Sequence, residues 1–182
     1  VVHYQVNGKI SYIEVGSDII EVRGNEVYLN GELIATIISG FIGDAPGMIE
    51  PRTGWVYTDS CPFGEASDYT RELDPKFHNI TFEKAIMELG KEVILSVLIA
   101  AVDTFKTDPT GASLGVNVFL AVADDIYNWA HDYPQRTQVY AIEHIYGHKN
   151  GMGYIHKNKF IFYSDRDCTD KISEAIAFSW WG

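Results

Sequence analysis

The sequence predicts an α+β fold in which a largely antiparallel β-sheet packs against a two-helix hairpin. Three observations support this. Residues 3–38 and 136–181 carry strand-like alternation, residues 81–132 carry helical periodicity, and Asn-Gly pairs separate several strands. The order of strands, helix pair and strands is typical of α+β proteins. With 182 residues, the chain is expected to form a single domain, 1–182.

The first segment, residues 1–38, is predicted to be a β-meander. Ile19 to Val22 and Glu26 to Leu29 alternate apolar and polar residues, as half-buried strands do. Asn7-Gly8 and Asn30-Gly31 are hairpin signals, because both central residues of a type I′ turn need a positive φ.

The second segment, residues 39–80, is predicted to be an irregular loop region, because glycine and proline recur throughout it. One short strand, Trp55 to Thr58, is expected inside it. Long ordered loops in compact domains are uncommon and often functional, so this segment is the first place to look for a site.

The third segment, residues 81–132, is predicted to be a helical hairpin. Thr81 is the expected N-cap of the first helix, and Ser113 to Asp132 form the second. The longest apolar stretch, Val93 to Val102, is about half the roughly 20 residues that a membrane span needs. It therefore predicts a buried helix, and no transmembrane span is expected.

The last segment, residues 136–181, is predicted to return to strands. Val139 to His148 would pair with the chain after the Asn150-Gly151 turn, with Ile145 opposite His156. Further strands are expected at Lys159 to Tyr163 and near the end of the chain.

The net charge of −11 disfavours nucleic acid as a partner, since phosphate backbones are bound by Lys and Arg. Anionic membrane surfaces are disfavoured by the same sign of charge, although contact through an apolar helix remains open. The chain begins Val1-Val2-His3 without an initiator Met, which fits a mature secreted chain or an excised fragment.

Cys61 and Cys168 are the two cysteines of the chain. Their even number, together with the missing initiator Met, suggests an oxidising compartment and a disulfide between them. Such a bridge would close a loop of about 100 residues and stabilise the fold by about 4–5 kcal/mol in the chain-entropy model. The alternative is a pair of reduced thiols.

A Cys–His hydrolase is a competing hypothesis, with Cys61 as nucleophile and His144 or His148 as base. The residues after Cys61 are Pro62-Phe63-Gly64, which do not begin a convincing helix, and a disulfide would consume the thiol.

Metal binding is weakly indicated. His144 and His148 are about 13 Å apart along a strand, and His156 should face the other way, so no shared zinc site is expected. Asp165, Asp167 and Asp170 could gather a cation, although the run departs from the calcium-loop pattern and an acidic turn explains it as well.

Asn79-Ile80-Thr81 is an N-glycosylation sequon, for which the alternative is that Thr81 only caps a helix. Four aromatic residues are candidates for a protein interface, because Tyr and Trp combine large apolar area with a polar group. They are Trp55, Tyr57, Trp180 and Trp181.

The sequence contains no nucleophile elbow, phosphate loop or HExxH motif, and no cofactor is expected. This absence favours a secreted, extracellular, non-enzymatic interaction protein, acting as an antimicrobial or toxin-like effector or assembling with itself at a surface. Its partner would be a protein or a second copy of the chain. The alternative is an extracellular hydrolase that uses Cys61 with a histidine, or a pair of carboxylates.

Overall fold

A computed structural model describes residues 2–4, 10–42, 55–102, 116–151 and 155–181. In this part of the chain, ten strands form one antiparallel sheet and two α-helices cover one of its faces, which confirms the α+β prediction. The strands are β1 (Val2–Tyr4), β2 (Ile10–Val15), β3 (Asp18–Arg23), β4 (Glu26–Leu29), β5 (Glu32–Phe41), β6 (Trp55–Thr58), β7 (Arg71–Phe82), β8 (Gln138–Gly147), β9 (Ile155–Tyr163) and β10 (Lys171–Trp181).

The strands follow chain order across the sheet except for β6. Their spatial order is β1-β2-β3-β4-β5-β7-β8-β9-β10-β6. β6 lies between β5 and β7 in the sequence but pairs with the last strand, β10. β5 and β7 pair directly with each other. This arrangement brings the segment around residue 39 and the segment around residue 78 side by side.

The helices are α1 (Lys91–Val102) and α2 (Leu120–Asp132), and both pack on the same side of the sheet. We call this side the helix face and the other side the open face. From Ser96 to Val102 every residue of α1 is buried, as its apolar sequence predicts. Ile80, Ala141 and Phe160 belong to the same core and mark the helix face of β7, β8 and β9.

The predicted boundaries of the helical hairpin were wrong at its start. Residues 81 and 82 complete β7, a short 3₁₀ turn spans Ile86–Glu88, and α1 begins only at Lys91. Thr81 lies opposite Gln138 in the sheet, so it is no helix cap. The cross-strand pairs on both sides of β7 outweigh the local helix-start signal.

The predicted loop of residues 39–80 was also partly wrong. The short strand at Trp55–Thr58 is confirmed, but Arg71–Phe82 is a central strand that contains Pro75. Pro75 lies in a β-bulge between Leu73 and Lys76, where the missing N–H interrupts no regular ladder bond. Its carbonyl oxygen accepts the N–H of Ile42 at 2.9 Å.

Within the described residues 2–4 and 10–38, the predicted meander is confirmed as β1 to β5. Asn30 and Gly31 have φ values of 50° and 86°, which a type I′ turn requires. The predicted turn at Asn7-Gly8 lies outside the described residues. After β8 the register differs by two residues from the prediction, because His156 lies opposite Gly147 and not opposite Ile145.

We expect the packing of α2 on the sheet to contribute to stability. Ile126 is fully buried in the core, so Ile126→Ala should lower the free energy of unfolding by about 3 kcal/mol. Leu120 on the same helix is 46% exposed, and Leu120→Ala should lower it by less than about 1 kcal/mol. Urea denaturation followed by circular dichroism measures both, and equal losses would contradict the assigned helix face.

Candidate functional site

Five polar side chains form a continuous hydrogen-bonded row across β5, β7, β8, β9 and β10 on the helix face. We call Ser39, His78, Glu143, Asn158 and Ser179 the polar relay. Ser39 Oγ lies 2.8 Å from His78 Nδ1, and His78 Nε2 lies 2.7 Å from Glu143 Oε2. Asn158 Nδ2 donates to Glu143 Oε1 at 2.6 Å, and Ser179 Oγ donates to Asn158 Oδ1 at 2.9 Å.

The register of the sheet produces this row. Ser39 lies directly opposite His78, and each later member is offset by one same-face position from the residue opposite its neighbour. Diagonal neighbours of this kind are within reach of long side chains. A shift of one residue in any of these strands would turn a member of the polar relay to the open face.

Exposure falls steeply along the polar relay. Ser39 is exposed, whereas His78 is 5% exposed and Glu143 is 1% exposed. Asn158 and Ser179 are fully buried. The polar relay therefore connects a hydroxyl at the surface with a carboxylate inside the protein.

The chemistry of the groups sets the direction of the hydrogen bonds. An ionised Glu143 only accepts, so it takes the N–H of His78 Nε2 and the N–H of Asn158 Nδ2. In the neutral imidazole that leaves Nδ1 of His78 as an acceptor, and the hydroxyl of Ser39 donates to it. A hydroxyl donating to an imidazole that a carboxylate orients is the ground state of a nucleophile–base–carboxylate triad.

Two residues beside Ser39 shape the surface at this end. Phe41 is the next residue along β5 on the same face, and it lies opposite Lys76. The ammonium of Lys76 lies 5.0 Å from the centre of the Phe41 ring. Lys76 directly follows the bulge at Pro75 and lies on the helix face opposite Glu143, two residues before His78, and bulges are frequent next to active sites.

None of these five residues was predicted from the sequence. Ser39, His78 and Glu143 are separated by 39 and 65 residues and share no short motif. A signal was available at Glu143, because an acidic residue at an inward position of the apolar strand β8 needs a buried partner. The pairing of strands was needed to identify that partner.

The predicted disulfide is not formed, because Cys61 and Cys168 are both free. Cys61 packs against a cluster that contains Ile155, at the start of β9, whereas Cys168 follows Tyr163 at its end. These two ends are about 26 Å apart at 3.3 Å per residue. A disulfide needs Cα atoms within about 7 Å of each other, so the fold keeps the sulfurs apart.

No described hydrogen bond joins Cys61 to His144 or His148, as the predicted Cys–His site would require. The thiol of Cys61 donates to the carbonyl oxygens of Phe63 at 3.3 Å and Gly64 at 3.6 Å. His148 is buried, and its Nδ1 accepts the backbone N–H of Asn150 at 3.2 Å. His144 lies one position from Glu143 in β8, so it faces the opposite side of the sheet.

The loop that carries Cys61 packs on the open face near the start of β9. Asp68 binds the Lys149 ammonium at 2.7 Å, and this contact holds the pKa of the Asp68 carboxyl below its usual range. Tyr69 is buried beneath the loop and donates to the carbonyl oxygen of Phe63 at 2.9 Å. Burial raises the pKa of Tyr69 to about 12, with the neighbouring Cys61 sulfur adding to the shift.

The acidic run after β9 forms a turn. Asp165 accepts the backbone N–H groups of Thr169 and Asp170, and Asp170 accepts the hydroxyl of Ser164. Among the described residues, no group of three or more His, Cys, Asp or Glu side chains is arranged to hold a metal ion. The carboxylates of Asp165 and Asp170 thus serve the turn, as the alternative interpretation of this run expected.

The other predicted site residues lie away from the polar relay. Asn79 is half-buried on β7 opposite Tyr140, and its glycosylation stays a prediction. The four predicted interface aromatics belong to β6 and β10, where the backbone of Trp55 pairs with that of Trp181. The side chains of these four, Trp55, Tyr57, Trp180 and Trp181, lie outside what the structure describes.

No helix in the described ranges has the length and apolar character needed to cross a membrane. Comparison of the chain with protein-family models, with curated proteins and with solved structures found no match. Function is therefore inferred from the geometry of the site.

Cys168 offers a direct check on the free thiols. Burial, together with the carboxylates of Asp165 and Asp167, raises the pKa of its thiol, so the thiolate should form only at a higher pH than in a free peptide. In a Cys61→Ser variant, we expect iodoacetamide to alkylate Cys168 several-fold more slowly at pH 8 than it alkylates a model thiol. Asp167→Asn should speed the reaction, because it removes a negative charge that disfavours the thiolate.

The wild-type chain, denatured without reductant, should react at both cysteines. Protection of both would contradict the absence of the disulfide, and an ordinary alkylation rate at Cys168 would contradict the burial of its sulfur.

Proposed function

We propose that the chain is a serine-dependent hydrolase, with Ser39 as nucleophile, His78 as general base and Glu143 as the carboxylate that orients the imidazole. The supporting observation is the hydrogen-bonded sequence Ser39–His78–Glu143, whose first member is exposed and whose last is buried. Triads are recognised by this geometry and not by their order in the chain. The proposal keeps the hydrolase alternative of the sequence analysis and replaces its cysteine with a serine.

The proposed reaction proceeds in two steps on a carboxylic ester. Ser39 Oγ forms a bond to the acyl carbon, its proton passes to His78 Nδ1, and the leaving alkoxide departs with that proton. Water then attacks the acyl-enzyme and gives a proton to His78, which returns it to Ser39 as the acid is released. Glu143 stays ionised and stabilises the imidazolium that forms in each step.

A fluorophosphonate probe and short-chain p-nitrophenyl esters test this proposal. Wild-type protein should be labelled and should hydrolyse the esters, while Ser39→Ala should abolish labelling and lower kcat by about 10³-fold or more. Glu143→Gln should lower kcat with little change in KM, because it removes a charge felt in the transition state.

The matched control is Ser60→Ala. Ser60 is another exposed serine, and its hydroxyl donates only to the neighbouring Asp59 in the described contacts. This variant should keep wild-type labelling and kcat. Full activity in Ser39→Ala, or a wild-type protein that neither hydrolyses the esters nor is labelled at Ser39, would refute the proposal.

A specific surface favours a second candidate function, interaction with a protein partner. A diagonal apolar stripe crosses the open face from β5 to β10, with Ile38 58% exposed and Ile176 48% exposed at its ends. Between them lie the cross-strand neighbours Phe77, Ile142 and Ile161, which are half-buried. Contiguous apolar patches of this kind mark interaction sites.

Self-association fits this stripe better than membrane attack. The apolar side chains of α1 are buried in the core, so a membrane-active form would have to release that helix. The extracellular location remains a proposal, and it no longer has a disulfide in its favour.

The double variant Ile38→Asp/Ile176→Asp tests self-association. Light scattering coupled to chromatography should show wild-type oligomers and a monomeric variant, because each new carboxylate would be desolvated at the contact. Leu120→Asp places the same charge at an exposed position of α2, on the other side of the sheet from the stripe. This control variant should leave the oligomer intact. A wild-type monomer at all accessible concentrations would exclude this function.

A further inference from the structure

We propose that Asn158 is a positioning residue of the candidate active site, with Ser179 holding Asn158 in place. This inference rests on the proposed hydrolase function and extends it from three residues to five. Asn158 touches no reacting atom. Its role would be to hold the Glu143 carboxylate in the one orientation that serves His78.

The geometry at Glu143 supports this role. The imidazole of His78 contacts only Oε2, which by itself leaves the carboxylate able to turn about its last torsion angle. The amide of Asn158 contacts the other oxygen, Oε1, at 2.6 Å. Glu143 is 1% exposed and Asn158 is fully buried, so these two side chains hold the carboxylate where bulk water does not reach.

Ser179 makes the amide of Asn158 directional. An asparagine side chain can present its oxygen or its nitrogen to a neighbour after a half-turn. The Ser179 hydroxyl donates to Oδ1, which leaves the amide N–H to point at Glu143. Hydrogen bonds are therefore donated from both ends of the polar relay, Ser39 and Ser179, toward the carboxylate of Glu143.

The competing explanation is that Asn158 only satisfies a buried carboxylate and thereby stabilises the fold. A purely structural residue would change the free energy of unfolding and leave kcat and its pH dependence alone. A positioning residue would lower kcat with KM nearly unchanged, because the misaligned imidazole fails in the transition state.

Asn158→Asp separates the two explanations. At acid pH the new carboxyl is protonated and donates to Glu143 as the amide did, whereas at higher pH the shared proton leaves and the donor is lost. Among the described residues of the strands on this face, the other titratable groups near Glu143 are His78 and Lys76 on β7 and His156 on β9. They are the same in both proteins, so a difference between their pH profiles reports the substitution.

The experiment measures ester hydrolysis between pH 5 and pH 9 in the full chain, with urea denaturation run in parallel. Wild-type kcat should not fall toward the alkaline end of this range, because its donor to Glu143 is an amide that does not titrate. The kcat of Asn158→Asp should instead pass through a maximum and fall at least 10-fold below wild type at the alkaline end, with KM within about 3-fold. Ser179→Ala should lower kcat about 3-fold, because the amide of Asn158 loses the donor that fixes its orientation.

A folded Asn158→Asp variant with the wild-type pH profile and kcat would overturn the inference. Where that variant fails to fold, Ser179→Ala decides, since an unchanged kcat there overturns the inference equally. These results leave the hydrolase intact as long as activity still depends on Ser39. Absence of any Ser39-dependent activity in wild type would instead refute the proposed function, and the role of Asn158 with it.

Discussion

A single buried carboxylate is the constraint from which the organisation of this sheet follows. Glu143 is 1% exposed, and an ionised group at such depth is destabilising by several kcal/mol unless donors surround it. His78 and Asn158 supply those donors from the strands on either side. Both are themselves buried and polar, so each needs a further partner, and Ser39 and Ser179 provide it. Hydrogen bonding of this one carboxylate therefore depends on the register of five strands.

The two faces of the sheet differ in how they are covered. On the helix face, α1 and α2 bury the apolar positions of the sheet, but this cover ends along β5, where Ile37 belongs to the core and Ser39 is exposed. The polar relay therefore reaches solvent at the edge of the core. On the open face, no helix of the described ranges covers the apolar stripe between Ile38 and Ile176. One sheet thus carries the exposed hydroxyl of Ser39 on one side and an exposed apolar stripe on the other.

Local patterns predicted most of the secondary structure because they act through near neighbours. The alternation in residues 18–29 predicts β3 and β4, and the Asn30-Gly31 pair predicts the turn between β4 and β5. They failed at β7, where Pro75 and Thr81 resemble a loop and a helix cap. In the folded chain Pro75 lies in a β-bulge, and Thr81 pairs with Gln138 of β8. Both positions depend on a strand that is distant in the sequence.

By itself the sequence determined the α+β class, the acidic surface and the burial of α1, since each depends on amino-acid composition and on the periodicity of apolar residues. It could not determine whether Cys61 meets Cys168, because a count of cysteines says nothing about distance. Nor could it reveal that Ser39, His78 and Glu143 meet, since residues so far apart come together only through cross-strand pairing. The tertiary structure decided both, because strand order and register are properties of the whole sheet.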